Sequence, residues 1–68
     1  MYYLKRLKDL RKSHNLRQEN LAELLRITRQ QYGLYETGKR EIPVRHLKIL
    51  ALFYRTSADY ILEITNQM

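Results

Sequence analysis

Apolar side chains along the 68-residue chain recur at intervals of three and four, the period of an α-helix, and no stretch alternates as a strand would. Tyr3, Leu7, Leu10 and His14, widened by Leu4, mark the buried face of a first helix over about 3–14, opposite a basic face. Leu21, Ala22, Leu24 and Leu25 mark a second over about 18–25. Its first turn holds Gln18 and Glu19, where a negative side chain meets the positive end of the helix dipole. After the short turn Arg26-Ile27, Thr28 can cap a third helix over about 29–37, with Tyr32 and Tyr35 on one side and Gly38 as a left-handed stop. Pro43 stands near the start of a fourth helix over about 44–54, where a missing amide proton costs little; Leu47, Leu50, Ala51 and Tyr54 are its core face. Ser57 caps a fifth over about 58–64. Five short helices without repeats or low-complexity segments predict one all-α domain spanning residues 1–68.

Composition narrows the function. There is no cysteine, and His14 and His46 alone cannot build a four-ligand zinc site, so the fold must stand on packing. Both histidines read as polar helix-end residues, with a phosphate contact open to His46. No nucleophile–base pair and no phosphate-cradling glycine loop occurs, so no enzyme activity, cofactor or metal is expected. The first residues carry charges every few positions, unlike a secretory signal, and the longest strongly apolar run, 49–54, is far short of the ~20 residues that span a bilayer. A cytoplasmic protein without membrane contact is expected.

Thirteen Lys and Arg against seven Asp and Glu give a net charge of +6, which suits a polyanionic partner. The charge is uneven. Residues 1–17 hold Lys5, Arg6, Lys8, Arg11, Lys12 and Arg17 against Asp9, and residues 29–48 hold Arg29, Lys39, Arg40, Arg45 and Lys48 against Glu36 and Glu41. The remaining two stretches are slightly acidic.

The stretch 16–40 carries the chemistry. Two helices separated by about three residues, with the small Ala22 on the first, can cross closely and steeply: this is the helix-turn-helix, whose second helix enters the DNA major groove. The residues Gln18-Glu19-Asn20-Leu21-Ala22, Ile27-Thr28-Arg29, Tyr35-Glu36-Thr37-Gly38-Lys39-Arg40 and Ser57-Ala58-Asp59-Tyr60-Ile61-Leu62 resemble, in order and spacing, the XRE-type domain of phage repressors and Cro. The resemblance covers about residues 4–64. It implies a five-helix lambda-repressor-like fold and a sequence-specific regulator of transcription, a bacterial or phage repressor on double-stranded DNA.

Side-chain chemistry supports that implication independently. The outward side of the third helix carries Arg29, Gln30, Gln31, Gly33 and Leu34. Arg29 can grip guanine O6 and N7, Gln30 or Gln31 can pair with adenine N6 and N7, and Leu34 offers apolar contact to a thymine methyl. Gly33 costs about 1 kcal/mol in helix propensity, which close backbone approach to the bases would explain. The bland alternative is a solvated polar face.

By resemblance, Gln18 binds phosphate and braces the recognition helix, the helix start at Thr28 supplies amides, and Thr37, Lys39, Arg40 and Arg45 hold phosphates. The basic face of helix 1 points away from DNA. The resemblance further implies that Arg11 and Glu36 form a structural ion pair tying helix 1 to the recognition helix. The chain departs from the family in four places. Arg26 and Arg55 stand where glycines are usual, Arg17 replaces a Thr or Ser cap but adds a cation able to reach phosphate, and Tyr32 occupies an Ile or Val position.

Two further readings remain open. The six tyrosines among basic residues could stack single-stranded bases, although helical spacing favours core packing for Tyr32, Tyr35, Tyr54 and Tyr60. Ile49, Phe53, Ile61, Leu62 and Ile64 form apolar surface beyond the core faces and suggest a homodimer, with two recognition helices ~34 Å apart on a palindromic operator; ordinary surface hydrophobes are the alternative. No small-molecule effector site is expected within these residues. The competing function is an antitoxin-like or protein-interaction module of the same fold with weak base readout.

Overall fold

The computed structural model describes residues 4–62. Five helices follow one another: α1 (Lys5–Ser13), α2 (Gln18–Leu25), α3 (Arg29–Thr37), α4 (Val44–Tyr54) and α5 (Ala58–Ile61). They match the expected all-α order, and α2, α3 and α4 have the expected bounds. Leu4 precedes α1 and is buried. His14 lies just past the end of α1 and is exposed, not on the core face that its spacing suggested. Its Nδ1 donates to the Leu10 carbonyl at 2.8 Å and its ring tilts against Tyr54, so it closes the helix end. Tyr3 and the expected end of the fifth helix, residues 63–64, lie outside the described residues.

One core joins Leu7 and Leu10 of α1, Leu21, Ala22 and Leu25 of α2, Tyr32 and Tyr35 of α3, Leu47, Leu50, Ala51 and Tyr54 of α4, and Ile61 of α5. Burying such side chains, at about 1.5–3 kcal/mol each, is the main drive to fold. Tyr32, large for its position, is fully buried and meets Tyr35 edge to face at a centroid distance of 6.5 Å. Tyr60 is half-buried: the Arg6 guanidinium lies 4.5 Å from its ring centroid and Nη1 donates to its carbonyl at 3.1 Å, pinning α1 to α5. Packing therefore occupies these rings, and with Tyr54 also buried the single-strand stacking reading finds no platform among the described residues.

Ile61 is a correction to the expected dimer surface. Its side chain is fully buried in this core, and Leu62 packs against the same core half-buried. The cause is the tight turn around Arg55, which folds α5 back onto α1 and α4 and turns its apolar side inward. Ile49 and Phe53 remain on the surface. Ile64 lies outside the described residues.

Both glycine-type turns keep their left-handed geometry without glycine: Arg26 has φ 58 and ψ 43, and Arg55 has φ 55 and ψ 46. Backbone bonds hold them, from the Ile27 amide to the Ala22 carbonyl and from the Thr56 amide to the Ala51 carbonyl, both at 2.9 Å. A left-handed non-glycine residue costs about 1–2 kcal/mol, partly offset in glycine by its greater freedom when unfolded. Arg55→Gly is therefore expected to stabilise the fold by up to about 1 kcal/mol, raising the melting temperature by roughly 4–8 °C in circular dichroism.

Candidate nucleic-acid interface

The interface is built on α3, so its two ends matter first. At the N-terminus Thr28 Oγ1 accepts from the Gln31 amide and Gln31 Oε1 accepts from the Thr28 amide, each at 3.1 Å, a complete capping box. At the C-terminus Gly38 adopts φ 77, and the Arg40 amide donates to the Leu34 carbonyl at 3.2 Å. Helix α2 is capped by other means. The Arg17 side chain has only donors, and Asn20 Oδ1 instead accepts from the Arg17 amide at 2.8 Å. The Arg17 guanidinium stays exposed, 3.6 Å from Glu19.

The capping box bears out Thr28 as the cap of α3 and draws Gln31 into it. Gln31 spends its carbonyl oxygen on the helix start, and Thr28 spends its hydroxyl there too, because four amides at a helix N-terminus need acceptors. Exposed Gln30, which makes no hydrogen bond among the described residues, is the glutamine left with a whole amide. A Cβ built on Gly33 would lie 3.5 Å from Gln18 Oε1, an ordinary van der Waals contact, so Gln18 packs beside this position. Arg29 and Gln30 are exposed and Leu34 is half-buried along the outer side. Thr37 at the end of α3, Lys39 and Arg40 just after it, and Arg45 at the start of α4 are also exposed. The Thr37 hydroxyl donates back to the Gly33 carbonyl at 3.2 Å.

Behind this surface sits a polar chain of contacts. Arg11 Nε donates to Glu36 Oε2 at 2.7 Å and Nη2 to Oε1 at 3.2 Å, a two-pronged pair with Glu36 only 2% exposed. Arg11 Nη1 also donates to the Leu16 carbonyl at 3.0 Å, fixing the path from α1 to α2. Gln18 Nε2 donates to Glu36 Oε1 at 3.2 Å, and Arg29 Nη1 donates to Gln18 Oε1 at 3.4 Å. The buried pair thus connects through Gln18 to the start of α3.

Electrostatics follow from this geometry. Burial by itself would raise the Glu36 carboxyl, but Arg11, Tyr32 and Gln18 around it outweigh burial and hold it below the ordinary value. The Tyr32 phenol is pushed up, first by burial and then by the neighbouring Glu36 carboxylate. His46, expected at a polar helix end, is instead buried, with Nδ1 3.1 Å from the Tyr35 hydroxyl; burial and then the Arg45 cation hold its pKa down.

Both groups make the fold bind fewer protons than the unfolded chain. Stability should therefore fall first below about pH 6.5, where unfolded histidine takes up a proton that His46 resists, and again below about 4.5, as Glu36 is forced to protonate. Urea midpoints measured from pH 8 to 3 check this, and the lower step should vanish in Glu36→Gln.

Some surface features escaped the sequence reading. Leu52 is 80% exposed and Val44 is also exposed. Leu52 continues the Ile49–Phe53 stripe at i+3, a periodicity visible in the sequence once the core face is removed. The Gln18–Arg29 and Tyr35–His46 contacts had no local signal. Among the described residues no group of acidic, histidine or cysteine side chains could hold a metal, and no helix is long and apolar enough to cross a membrane.

Comparison with known proteins agrees with this architecture. A family model described as helix-turn-helix matches residues 7–61. Among curated proteins of Bacillus subtilis (strain 168), the HTH-type transcriptional regulator YobD is 45% identical over 64 residues, covering 94% of this chain and 57% of the relative. The SPbeta prophage-derived HTH-type transcriptional regulator YonR is 41% identical over 61 residues, covering 90% of this chain and 56% of the relative. A third, YqaE, is 40% identical over 57 residues, or 84% of this chain and 49% of the relative. The chain thus spans about half the length of the curated relatives it matches. No solved structure is significantly similar to it. With the model matching across the two crossed helices and their flanking core, the chain belongs to the XRE-type helix-turn-helix family.

Proposed function

We propose that this chain is a double-stranded DNA-binding transcriptional regulator that reads a specific sequence with α3 in the major groove and acts as a repressor. The observation that carries the reading is the exposed Arg29 and Gln30 on a helix capped at both ends, with Lys39, Arg40 and Arg45 exposed nearby. The first pair supplies bidentate donors and acceptors for base edges; the flanking cations supply phosphate contacts that set register. The relatives' names as transcriptional regulators point the same way. Arg17, Gln18 and Thr37 belong to the same proposed phosphate rim, with Thr28 contributing its end of the helix through backbone amides.

Selection of binding sites from a random duplex pool, followed by fluorescence anisotropy, tests this. One tight, palindromic sequence is expected. Uniformly weak binding to every duplex, erased by salt, would instead identify a protein-interaction module of the same fold. Lys39→Ala is expected to weaken binding about equally on all duplexes and to reduce the slope of log affinity against log salt by about 1.

The palindrome follows from a proposed homodimer. Ile49 at 38%, Phe53 at 47% and Leu52 at 80% exposure form a continuous apolar stripe on α4, and a C2 pairing through it would place two copies of α3 on successive major grooves. Sedimentation at micromolar concentration should give a dimer that Leu52→Glu dissociates; a strict monomer that binds DNA as a monomer would refute the pairing.

A further inference from the structure

We propose that His46 is a positioning residue for phosphate contact: its hydrogen bond to Tyr35 ties the start of α4 to the recognition helix, so that Arg45 and α3 meet one duplex in a fixed register. This rests on the reading of Arg45 as a phosphate-binding residue.

The start of α4 has little else to fix its direction. Its cap, Pro43, makes no side-chain hydrogen bond. The connection from Gly38 is hydrogen-bonded back to α3 only as far as Arg40, whose amide donates to the Leu34 carbonyl at 3.2 Å. Leu47 and Leu50 sit in the core, but apolar contact is non-directional and does little to set an angle. Among the described residues one hydrogen bond joins α3 to α4, and it lies between Tyr35 Oη and His46 Nδ1, 3.1 Å apart.

Both ends of that bond are held. Tyr35 is 4% exposed and packs edge to face on Tyr32; His46, the third residue of α4, is 6% exposed. The two rings also touch, tilted by 56° with centroids 5.8 Å apart. A lowered pKa keeps the imidazole neutral near pH 7. A neutral ring pairs with the hydroxyl in either tautomer, since Nδ1 accepts when the proton is on Nε2 and donates when it carries the proton itself.

A buried imidazole costs more desolvation than a leucine or phenylalanine filling the same space. Core filling therefore does not call for it, whereas a directed bond across two helices does. Successive helical residues are about 100° apart, so with His46 turned into α3, Arg45 leaves α4 beside the junction and is exposed. Phosphate contacts set register, not sequence. Register requires the cation and the base-reading face to keep one spacing, and the Tyr35–His46 bond spans that spacing from within.

The test uses the 68-residue chain and the duplex recovered by wild-type selection from a random pool. The double variant Tyr35→Phe with His46→Leu removes both polar partners together and so should melt near wild type. His46→Asn, alone, keeps a polar atom in the place of Nδ1. The double variant is expected to bind the selected duplex about three- to tenfold more weakly. It should also lose about 1 per bound copy from the slope of log affinity against log salt, as Arg45→Ala does. His46→Asn should retain the wild-type affinity and slope. In an Arg45→Ala background the double substitution should change neither any further. A wild-type slope in the double variant, the full loss in a His46→Asn protein that melts as wild type, or an equal loss with and without Arg45 would each overturn the proposal. If Arg45→Ala itself leaves affinity and slope unchanged, the phosphate assignment falls and takes this inference with it, an outcome distinct from failure at His46 alone.

Discussion

Glu36→Ala should destabilise the protein by about 3–5 kcal/mol. The carboxylate is 2% exposed and receives two bonds from Arg11 and one from Gln18. Truncation leaves a largely buried guanidinium that keeps, among the described residues, its bond to the Leu16 carbonyl. An unpaired buried charge is far more costly than the pair is beneficial, which gives the size of the effect. A domain of this length has about 3–10 kcal/mol in total, so the variant should be substantially unfolded at 37 °C. Urea denaturation followed by circular dichroism is the measurement. Replacing both partners, as in Arg11→Met with Glu36→Leu, should recover much of the loss, because the charge and its partner leave together. A destabilised single variant and an equally destabilised double variant would show that shape, not charge, decides stability here. Loss of DNA binding in Glu36→Ala alone would report unfolding.

Arg29→Ala is expected to behave in the opposite way. Its side chain is exposed and its one side-chain hydrogen bond among the described residues, to Gln18, is long at 3.4 Å, so melting should barely move. Binding to the selected duplex should weaken by about 1–3 kcal/mol, with the loss confined to one base pair in each half-site. Anisotropy titrations against the single-base-substituted set give this directly: the variant should bind all four bases at that position nearly equally. A loss spread evenly over every duplex would make Arg29 a phosphate contact. The pair of experiments separates fold from readout, since one residue sits at the buried end of the polar chain and the other at its exposed end.

The difference between these two positions bears on what could be read without a structure. The bounds of α2, α3 and α4 were legible because their signals are local: apolar spacing, the Thr28 cap, and Gly38 and Pro43 at the ends. The Arg11–Glu36 contact was reached only through resemblance, since 25 positions separate the two residues and no periodicity links them. Helical geometry puts Gln31 and Gly33 near that face, but it cannot say that Gln31 is drawn into a cap or that Gly33 lies under Gln18. Ile61 was misplaced for a related reason. A helix of only four residues, Ala58–Ile61, is too short for apolar spacing to define one face before a partner is packed against it.

What the sequence by itself determined was the set of helices, their turns, the excess of cations between residues 29 and 48, and the helix-turn-helix family; each rests on neighbours within a few residues or on an ordered motif. Only the tertiary structure decided which apolar side chains of α4 and α5 stay outside, how Arg26 and Arg55 sustain left-handed turns, and which polar atoms meet behind α3. Those outcomes depend on pairs distant in sequence competing for the same space and the same hydrogen bonds, and that competition is settled only when the helices pack.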